Sequence, residues 1–119
     1  MAVAGRLDGR VALVSGALRG IGHAIAQCLA ADGATTIITD LDAPDSQPVT
    51  DILAAMPNAR YIRLDATEEA AWQAARDAIE ADHGRLDILV NNVGADLTGK
   101  VQDIELASWR RLMTLNMDT

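Results

Sequence analysis

Four short apolar runs alternate along the chain with longer segments in which apolar residues recur every three or four positions. Short apolar runs that end at a polar residue or a glycine are typical of buried strands, and the longer spacing is typical of amphipathic helices. The runs predict four strands, at Val11–Ser15, Thr35–Thr39, Tyr61–Leu64 and Leu86–Val90. The spaced segments predict four helices, at Gly20–Ala31, at Thr50–Met56, from an N-cap at Thr67 to His83, and from about Leu106 to the end of the chain.

A strand followed by a helix, repeated four times, predicts an α/β fold with a parallel sheet, right-handed crossovers and helices on both faces. No internal repeat, low-complexity segment or linker interrupts the sequence, so residues 1–119 are expected to belong to one domain. The segment Ala43–Pro48 contains two prolines and is expected to be a loop. In the first helix the apolar spacing predicts one core-facing stripe, made of Ile21, Ala24, Ile25, Cys28 and Leu29.

Net charge, cysteine content and the lengths of the apolar runs indicate which partners and which cellular compartment to expect. Seventeen acidic and ten basic residues give a net charge of −7, and no basic run is present, which disfavours a nucleic-acid partner. Cys28 is the single cysteine, so no internal disulfide or cysteine metal cluster is expected, and its thiol is predicted to be buried. No apolar run has the length of a membrane span, and the first ten residues do not resemble a signal peptide. We therefore expect a cytoplasmic protein with no membrane partner.

Three glycines mark the turn between the first strand and the first helix, in the stretch "SGALRGIG". Gly16, Gly20 and Gly22 have the spacing G-x-x-x-G-x-G, which differs from the general dinucleotide fingerprint G-x-G-x-x-G. Glycines at this place let a pyrophosphate approach the free N–H groups of a helix N-terminus. The alternative is a tight turn with a purely structural role.

Polar residues follow the other three predicted strands, namely Asp40, Asp65 and Asn91–Asn92. In an open parallel sheet, ligands bind at this carboxyl edge. Asp40 lies 24 residues after Gly16, close to the spacing of an acid that binds ribose hydroxyls. The alternatives are a capping or loop acid at Asp40, a turn acid at Asp65 and a strand-ending turn at Asn91–Asn92.

The stretch "SGALRGIG" resembles the T-G-x-x-x-G-I-G turn of the short-chain dehydrogenase/reductase family. Asp40, Asp65, "NNVG" at 91–94 and Asn116 follow in the order of that family's landmarks, with Ser15 in place of threonine and Val93 in place of alanine. The resemblance covers essentially the whole chain. It implies a Rossmann-type, doubly wound parallel sheet, truncated after the fourth strand and the following helix.

The resemblance also implies the roles of individual residues. The position of Asp65 contacts the adenine amino group, and that of Asn92 lies against the adenosine ribose. Asn116 is implied to help position the catalytic lysine through a water, the alternative being a buried asparagine that ties its helix to a neighbouring strand. No metal site is expected. The implied cofactor-binding residues are Gly16, Leu18, Arg19, Gly20, Ile21, Gly22, Asp40, Asp65, Ala66, Asn92 and Gly94.

Two residues give opposite indications about the cofactor. The carboxylate of Asp40 can accept hydrogen bonds from both ribose hydroxyls of NAD and would repel the 2′-phosphate of NADP. In the family, an arginine at the position of Arg19 often accompanies use of NADP, but here it could equally pair with Asp40 or point into solvent. Asp42 adds negative charge nearby. We therefore expect NAD(H) to be favoured over NADP(H).

The family interconverts alcohols and ketones by hydride transfer, using a serine and a Tyr-x-x-x-Lys pair. The only tyrosine here is Tyr61, with Asp65 four positions later, and the only lysine is Lys100. The chain is therefore expected to be the inactive, cofactor-binding half of an NAD(P)-dependent oxidoreductase, with its fourth strand as an exposed edge. The complete enzyme is expected to be a homo-oligomer that acts on a small-molecule alcohol or ketone. The alternatives are a non-catalytic nucleotide-binding or partner-binding fragment, or a half complemented by a separately encoded piece.

Overall fold

A computed structural model describes residues 5–119, so the first four residues of the predicted domain lie outside the described part of the chain. The strands are β1 (Val11–Ser15), β2 (Thr35–Asp40), β3 (Ala59–Arg63) and β4 (Ile88–Val90). The helices are α1 (Gly20–Ala31), α2 (Gln47–Ala55), α3 (Glu69–His83) and α4 (Leu106–Met117). A short 3₁₀ turn at Val101–Asp103 precedes α4 and was not predicted.

The four strands form one parallel sheet in the order β3-β2-β1-β4. Every residue of β1 is buried, as expected for the central strand of a parallel sheet. Strand β1 pairs along its whole length with β2, from Val11 opposite Thr35 to Ser15 opposite Thr39. It pairs over only three residues with β4, which forms one edge of the sheet. The predicted parallel α/β fold is confirmed.

Alternate residues of the central strands supply the two core layers. On one face, Val14 and Ile38 pack with residues of α1 and α2. On the other face, Leu13 and Ile37 pack against Ile79 of α3. Because neighbouring residues of a strand point to opposite faces, these apolar runs require helices on both sides of the sheet. Both layers of the predicted doubly wound arrangement are therefore present.

Several predicted boundaries are wrong by a few residues. Strand β3 begins at Ala59, two residues before its predicted start at Tyr61. Helix α2 begins at Gln47, inside the predicted loop, because Pro48 falls in the first helical turn, where its missing N–H is not needed. The N-cap of α3 is Glu68 and not Thr67, whose hydroxyl instead donates to the Asp65 carboxylate at 2.6 Å. Strand β4 begins only at Ile88, two residues later than predicted.

The core-facing stripe of α1 also differs from the prediction. Its buried residues are Gly22 and Ala26, whereas Ile21 is 76% exposed. The smallest residues lie nearest the sheet because the helix approaches β1 and β2 closely. The prediction is confirmed for Ile25 and Leu29, which pack partly buried against the same core layer. Cys28 lies on the outer side, and the expectation of a buried thiol was wrong.

The Asp87 carboxylate joins the starts of β1 and β4. It accepts a hydrogen bond from the Val11 backbone N–H at 2.8 Å, while the Asp87 N–H donates to the Val11 carbonyl at 2.9 Å. The guanidinium of Arg85 lies 2.6 Å from the same carboxylate, and that of Arg10 lies at 3.4 Å. These donors, Arg85 first and then the Val11 N–H, lower the pKa of Asp87 to about 2.

We expect Asp87→Asn to lower the melting temperature near neutral pH by on the order of 5 °C, because a neutral amide replaces the carboxylate and the charge-assisted hydrogen bonds are lost. The folded-state pKa lies below the ordinary value of 3.8, so the stabilisation is present above pH 3.8 and is lost as pH falls towards 2. The melting temperatures of wild type and variant should therefore converge over that interval. The control is Asp77→Asn, which breaks an exposed ion pair with Arg76 and should change little. A constant difference between pH 7 and 2 would contradict the assignment.

Candidate functional site

An open cleft of about 540 Å³ lies across the carboxyl ends of the strands. All but two of the predicted cofactor-binding residues line it, and the structure brings them together from the turn after β1 and the ends of β2, β3 and β4. The cleft is lined by Gly16, Arg19, Gly20, Ile21, Asp40, Leu41, Leu64, Asp65, Ala66, Asn92, Val93, Gly94 and Leu115. Leu18 and Gly22, the two exceptions, are buried directly behind its wall.

The glycine turn adopts a backbone conformation that favours glycine. Gly16 and Gly20 have φ of +62° and +61°, a backbone conformation that glycine adopts without strain. A Cβ atom on Gly22 would collide with the carbonyl oxygen of Gly16 and would lie 2.5 Å from Nδ2 of Asn92. No side chain among the described residues caps the N-terminus of α1. Its first N–H groups are therefore free to face an anion.

Asn92 supports this turn from below. Its Nδ2 donates to the carbonyl oxygens of Ser15 and Gly16 at 3.1 and 3.2 Å. Its backbone N–H donates to Oγ of Ser15 at 3.0 Å, so the hydroxyl at this position has a structural function. These contacts couple the end of β4 to the glycine turn. The implied position of Asn92 against the adenosine ribose stays a prediction.

Asp40 holds its carboxylate at the rim of the cleft. Its Oδ2 accepts a hydrogen bond from the Leu18 N–H at 3.2 Å, and its Oδ1 accepts one from the Leu41 N–H at 2.9 Å. Both bonds come from the backbone, so the carboxylate is fixed before any ligand arrives. Leu18 thus acts at this site through its N–H group, while its side chain is buried in the core.

Arg19 forms an ion pair with Asp42, whose Oδ2 lies 3.0 Å from Nη2 of the guanidinium. This resolves the alternatives left by the sequence, since Arg19 neither pairs with Asp40 nor extends freely into solvent. The hydrogen bond and charge of Asp42 raise the pKa of Arg19 above its already high value. Asp42 was the residue that sequence reasoning missed as a partner, although it lies only two positions after Asp40.

Tyr61 and Arg63 hold the segment that carries both acids. The Tyr61 hydroxyl donates to the Asp42 carbonyl oxygen at 2.6 Å and lies 3.1 Å from that of Asp40. Nε of Arg63 donates to the Leu41 carbonyl oxygen at 2.9 Å. Burial, followed by the two nearby carboxylates, raises the pKa of Tyr61 to about 12. This tyrosine is therefore a protonated hydrogen-bond donor at neutral pH.

Asp65 lines the cleft and also closes a local turn. Its Oδ1 accepts hydrogen bonds from the hydroxyl and the backbone N–H of Thr67, at 2.6 and 3.0 Å. These two bonds, the side-chain one first, lower the pKa of Asp65. The turn acid and the cleft-lining acid are therefore the same residue. A contact with adenine stays a prediction.

Asn116 does not line the cleft. Its Oδ1 accepts from the Ala95 N–H and its Nδ2 donates to the Ala95 carbonyl, both at 2.9 Å, which ties α4 to the segment after β4. The side chain is exposed, so the alternative of a buried asparagine is wrong, and the implied role of Asn116 in positioning the catalytic lysine stays a prediction. The reason is that α4 contributes no buried residue: Trp109 and Met113 on the same stripe are 47% and 38% exposed.

Metal ligands, membrane-spanning helices and further grooves are the other features of interest in residues 5–119. No group of three or more potential metal ligands comes together within this range. None of the helices described is long and apolar enough to cross a membrane. A smaller, mostly apolar groove of about 260 Å³ lies between α3 and β4, at the outer flank of the sheet, and shares no residue with the cleft.

The sequence is similar to those of known dehydrogenases. A family model described as short chain dehydrogenase matches residues 10–119. The chain is 38% identical over 115 residues to a 3-alpha-(or 20-beta)-hydroxysteroid dehydrogenase of Mycobacterium tuberculosis, covering 97% of this chain and 44% of that protein. It is 37% identical over 122 residues to a trans-4-hydroxycyclohexanecarboxylate dehydrogenase of Sinomonas cyclohexanicum, covering 97% of this chain and 47% of the relative.

A similar solved structure is that of a short chain dehydrogenase from Burkholderia cenocepacia in complex with NADP. It superposes with a TM-score of 0.84 at 36% identity, covering 95% of this chain and 47% of the other. The chain thus spans less than half the length of each of these proteins.

Proposed function

Because the chain belongs to the short chain dehydrogenase family, we propose that it provides the cofactor-binding half of an NAD(P)-dependent oxidoreductase that interconverts alcohols and ketones. The observation that carries this proposal is the cleft itself. The glycine turn, Asp40 and Asp65 line one concavity beside the uncapped N-terminus of α1. The free N–H groups suit a pyrophosphate and the carboxylates suit the hydroxyl and amino groups of an adenosine.

The residues present fit a dinucleotide in a specific way. The position of a Cβ atom on Gly22 is already occupied by the Gly16 carbonyl oxygen and the Asn92 side chain. Only glycine therefore allows the turn to pack against the start of α1. Nothing lies within 4 Å of the position of a Cβ atom on Gly20, so phosphate oxygens can approach the backbone N–H groups there. When bound, the nicotinamide would supply or accept the hydride. This chain's own contribution is to bind and orient the adenosine and pyrophosphate end.

We further propose that the cleft favours NAD(H) over NADP(H). The Asp40 carboxylate is held at the rim by the backbone N–H groups of Leu18 and Leu41. A fixed carboxylate can accept hydrogen bonds from ribose hydroxyls, and it would repel a 2′-phosphate. The NADP in the Burkholderia cenocepacia relative belongs to that protein, and likeness of fold alone does not select a cofactor.

The alternative function, a non-catalytic nucleotide-binding fragment, would use the same cleft. It differs from the proposed function only in having no part in hydride transfer. The Tyr61 hydroxyl is engaged by the Asp42 carbonyl at the end of β2, and Lys100 is exposed on the segment after β4. Neither residue lies in the cleft lining, and no Tyr-x-x-x-Lys occurs in the sequence. The small-molecule alcohol or ketone substrate, the homo-oligomeric state and the cytoplasmic location stay predictions.

We expect the purified 119-residue chain to bind NADH and to show no dehydrogenase or reductase turnover. Proton transfer needs a titratable group within hydrogen-bond reach of the substrate oxygen, and the cleft offers no such group beyond the adenosine-side carboxylates. Binding is measured by NADH fluorescence or calorimetry, and turnover with a panel of secondary alcohols and ketones. Turnover by the chain alone that persists in Tyr61→Phe would refute the claim that this chain binds the cofactor and lacks the catalytic residues. A chain that binds no dinucleotide would refute the function.

A further inference from the structure

We propose that Asp42 determines cofactor selectivity by holding the Arg19 guanidinium away from the 2′-phosphate of NADP(H). This inference rests on the proposed function, since it assumes that the cleft binds a dinucleotide. It assigns to Asp42 a positioning effect on Arg19 that is separate from the effect of Asp40 on the ribose.

The ion pair lies at the edge of the cleft. Arg19 lines the cleft and immediately precedes α1, whereas Asp42 is outside the lining, so the guanidinium is directed towards the rim. The guanidinium group is the best side-chain ligand for a phosphate, because its planar fork binds two oxygens at once. A carboxylate binds the same fork. With Asp42 at 3.0 Å, a 2′-phosphate has to displace a partner that is already in contact.

Asp42 is a pre-organised competitor because its backbone is fixed independently of its carboxylate. The Tyr61 hydroxyl holds the Asp42 carbonyl oxygen at 2.6 Å, and Arg63 holds the neighbouring carbonyl of Leu41. The Asp42 side chain is 25% exposed and that of Arg19 is 65% exposed. The acid is therefore the anchored member of the pair and the arginine the movable one. Neutralising the acid should release Arg19 without disturbing the segment.

Dissociation constants for NADH and NADPH, measured on the purified chain with far-UV circular dichroism as a check on folding, test this inference. Asp42→Asn should tighten NADPH binding by about two- to fivefold, a range set by the modest strength of exposed ion pairs, and leave NADH binding unchanged. Adding Arg19→Gln should remove the whole gain. Asp45→Asn is the matched control, because this acid lies on the same segment and, among the described residues, forms no ion pair.

The outcomes separate this inference from the function on which it rests. The inference is overturned if NADPH binding is unchanged in Asp42→Asn, if the gain survives the loss of Arg19, or if Asp45→Asn gives the same gain. In each of these cases NADH binding that still depends on Asp40 leaves the proposed function standing. If the wild-type chain binds neither dinucleotide, the inference and the proposed function are both wrong.

Discussion

Replacing Gly22 with valine is expected to weaken dinucleotide binding by more than about 100-fold. The new Cβ atom would meet the Gly16 carbonyl oxygen and Nδ2 of Asn92, the latter at 2.5 Å. Because one of these neighbours is backbone, the clash is relieved only by moving the glycine turn or the start of α1. Either movement costs the pyrophosphate at least two hydrogen bonds, each contributing ~1.5–3 kcal/mol when it involves a charged group. Overpacking also lowers the free energy of unfolding by ~1–3 kcal/mol.

Ala24→Val is the matched control for this variant. It introduces the same β-branched side chain into the same helix, but on an exposed position, so it carries only the small propensity cost of valine. NADH titration and circular dichroism on both variants separate loss of the cleft from loss of the helix. Equal NADH affinity in the two variants would mean that the glycine turn has no role in binding.

Replacing Asp40 with alanine is expected to weaken NADH binding by about 10- to 100-fold, the equivalent of ~1–3 kcal/mol for hydrogen bonds to a charged group. The carboxylate is already positioned by Leu18 and Leu41, so its removal forfeits a pre-organised acceptor. NADPH, which gains nothing from this carboxylate, should bind as before or more tightly. Titration of both cofactors against the same preparation measures the change in selectivity directly.

Asp51→Ala controls for the loss of one negative charge, because this acid is exposed on α2 and contacts Gln47. It should leave both affinities within about twofold of wild type. If Asp40→Ala weakens NADH and NADPH by the same factor, the carboxylate supports the fold of the turn and does not discriminate between ribose and ribose phosphate.

The elements predicted most accurately are those in which burial and a glycine coincide. Strand β1 and helix α1 have the predicted bounds because a fully buried run stops at Gly16 and the helix ends before Gly33, which adopts φ of +102°. Predictions based on side-chain size failed where packing distance decided the outcome. Apolar spacing placed Ile21 and Cys28 in the core-facing stripe of α1, but its fully buried residues are Gly22 and Ala26, with Ile25 and Leu29 packed partly buried beside them.

Most of the candidate site was predictable, since the carboxyl ends of parallel strands meet by construction. The side-chain pairings within it were not. Tyr61 reaches the Asp40–Asp42 segment because β3 pairs with β2 in a register that places it opposite Ile38. That register depends on the three-dimensional packing of both strands. The same is true of Asn116, whose sequence neighbours suggested burial while its amide binds the exposed backbone of Ala95.

The position of β4 beside β1 bears on how the sheet assembles. Val11 and Asp87, which join the starts of these strands, are 76 residues apart in the chain, whereas β2 follows β1 after a single helix. Of the four described strands, β1 emerges first during synthesis, and it has no partner on its β4 side until the chain has extended as far as Val90. Pairings between residues far apart in sequence close large loops and slow folding. The short β1–β4 ladder therefore carries the largest loop-closure cost among the described strand pairs, although it contains the fewest residue pairs.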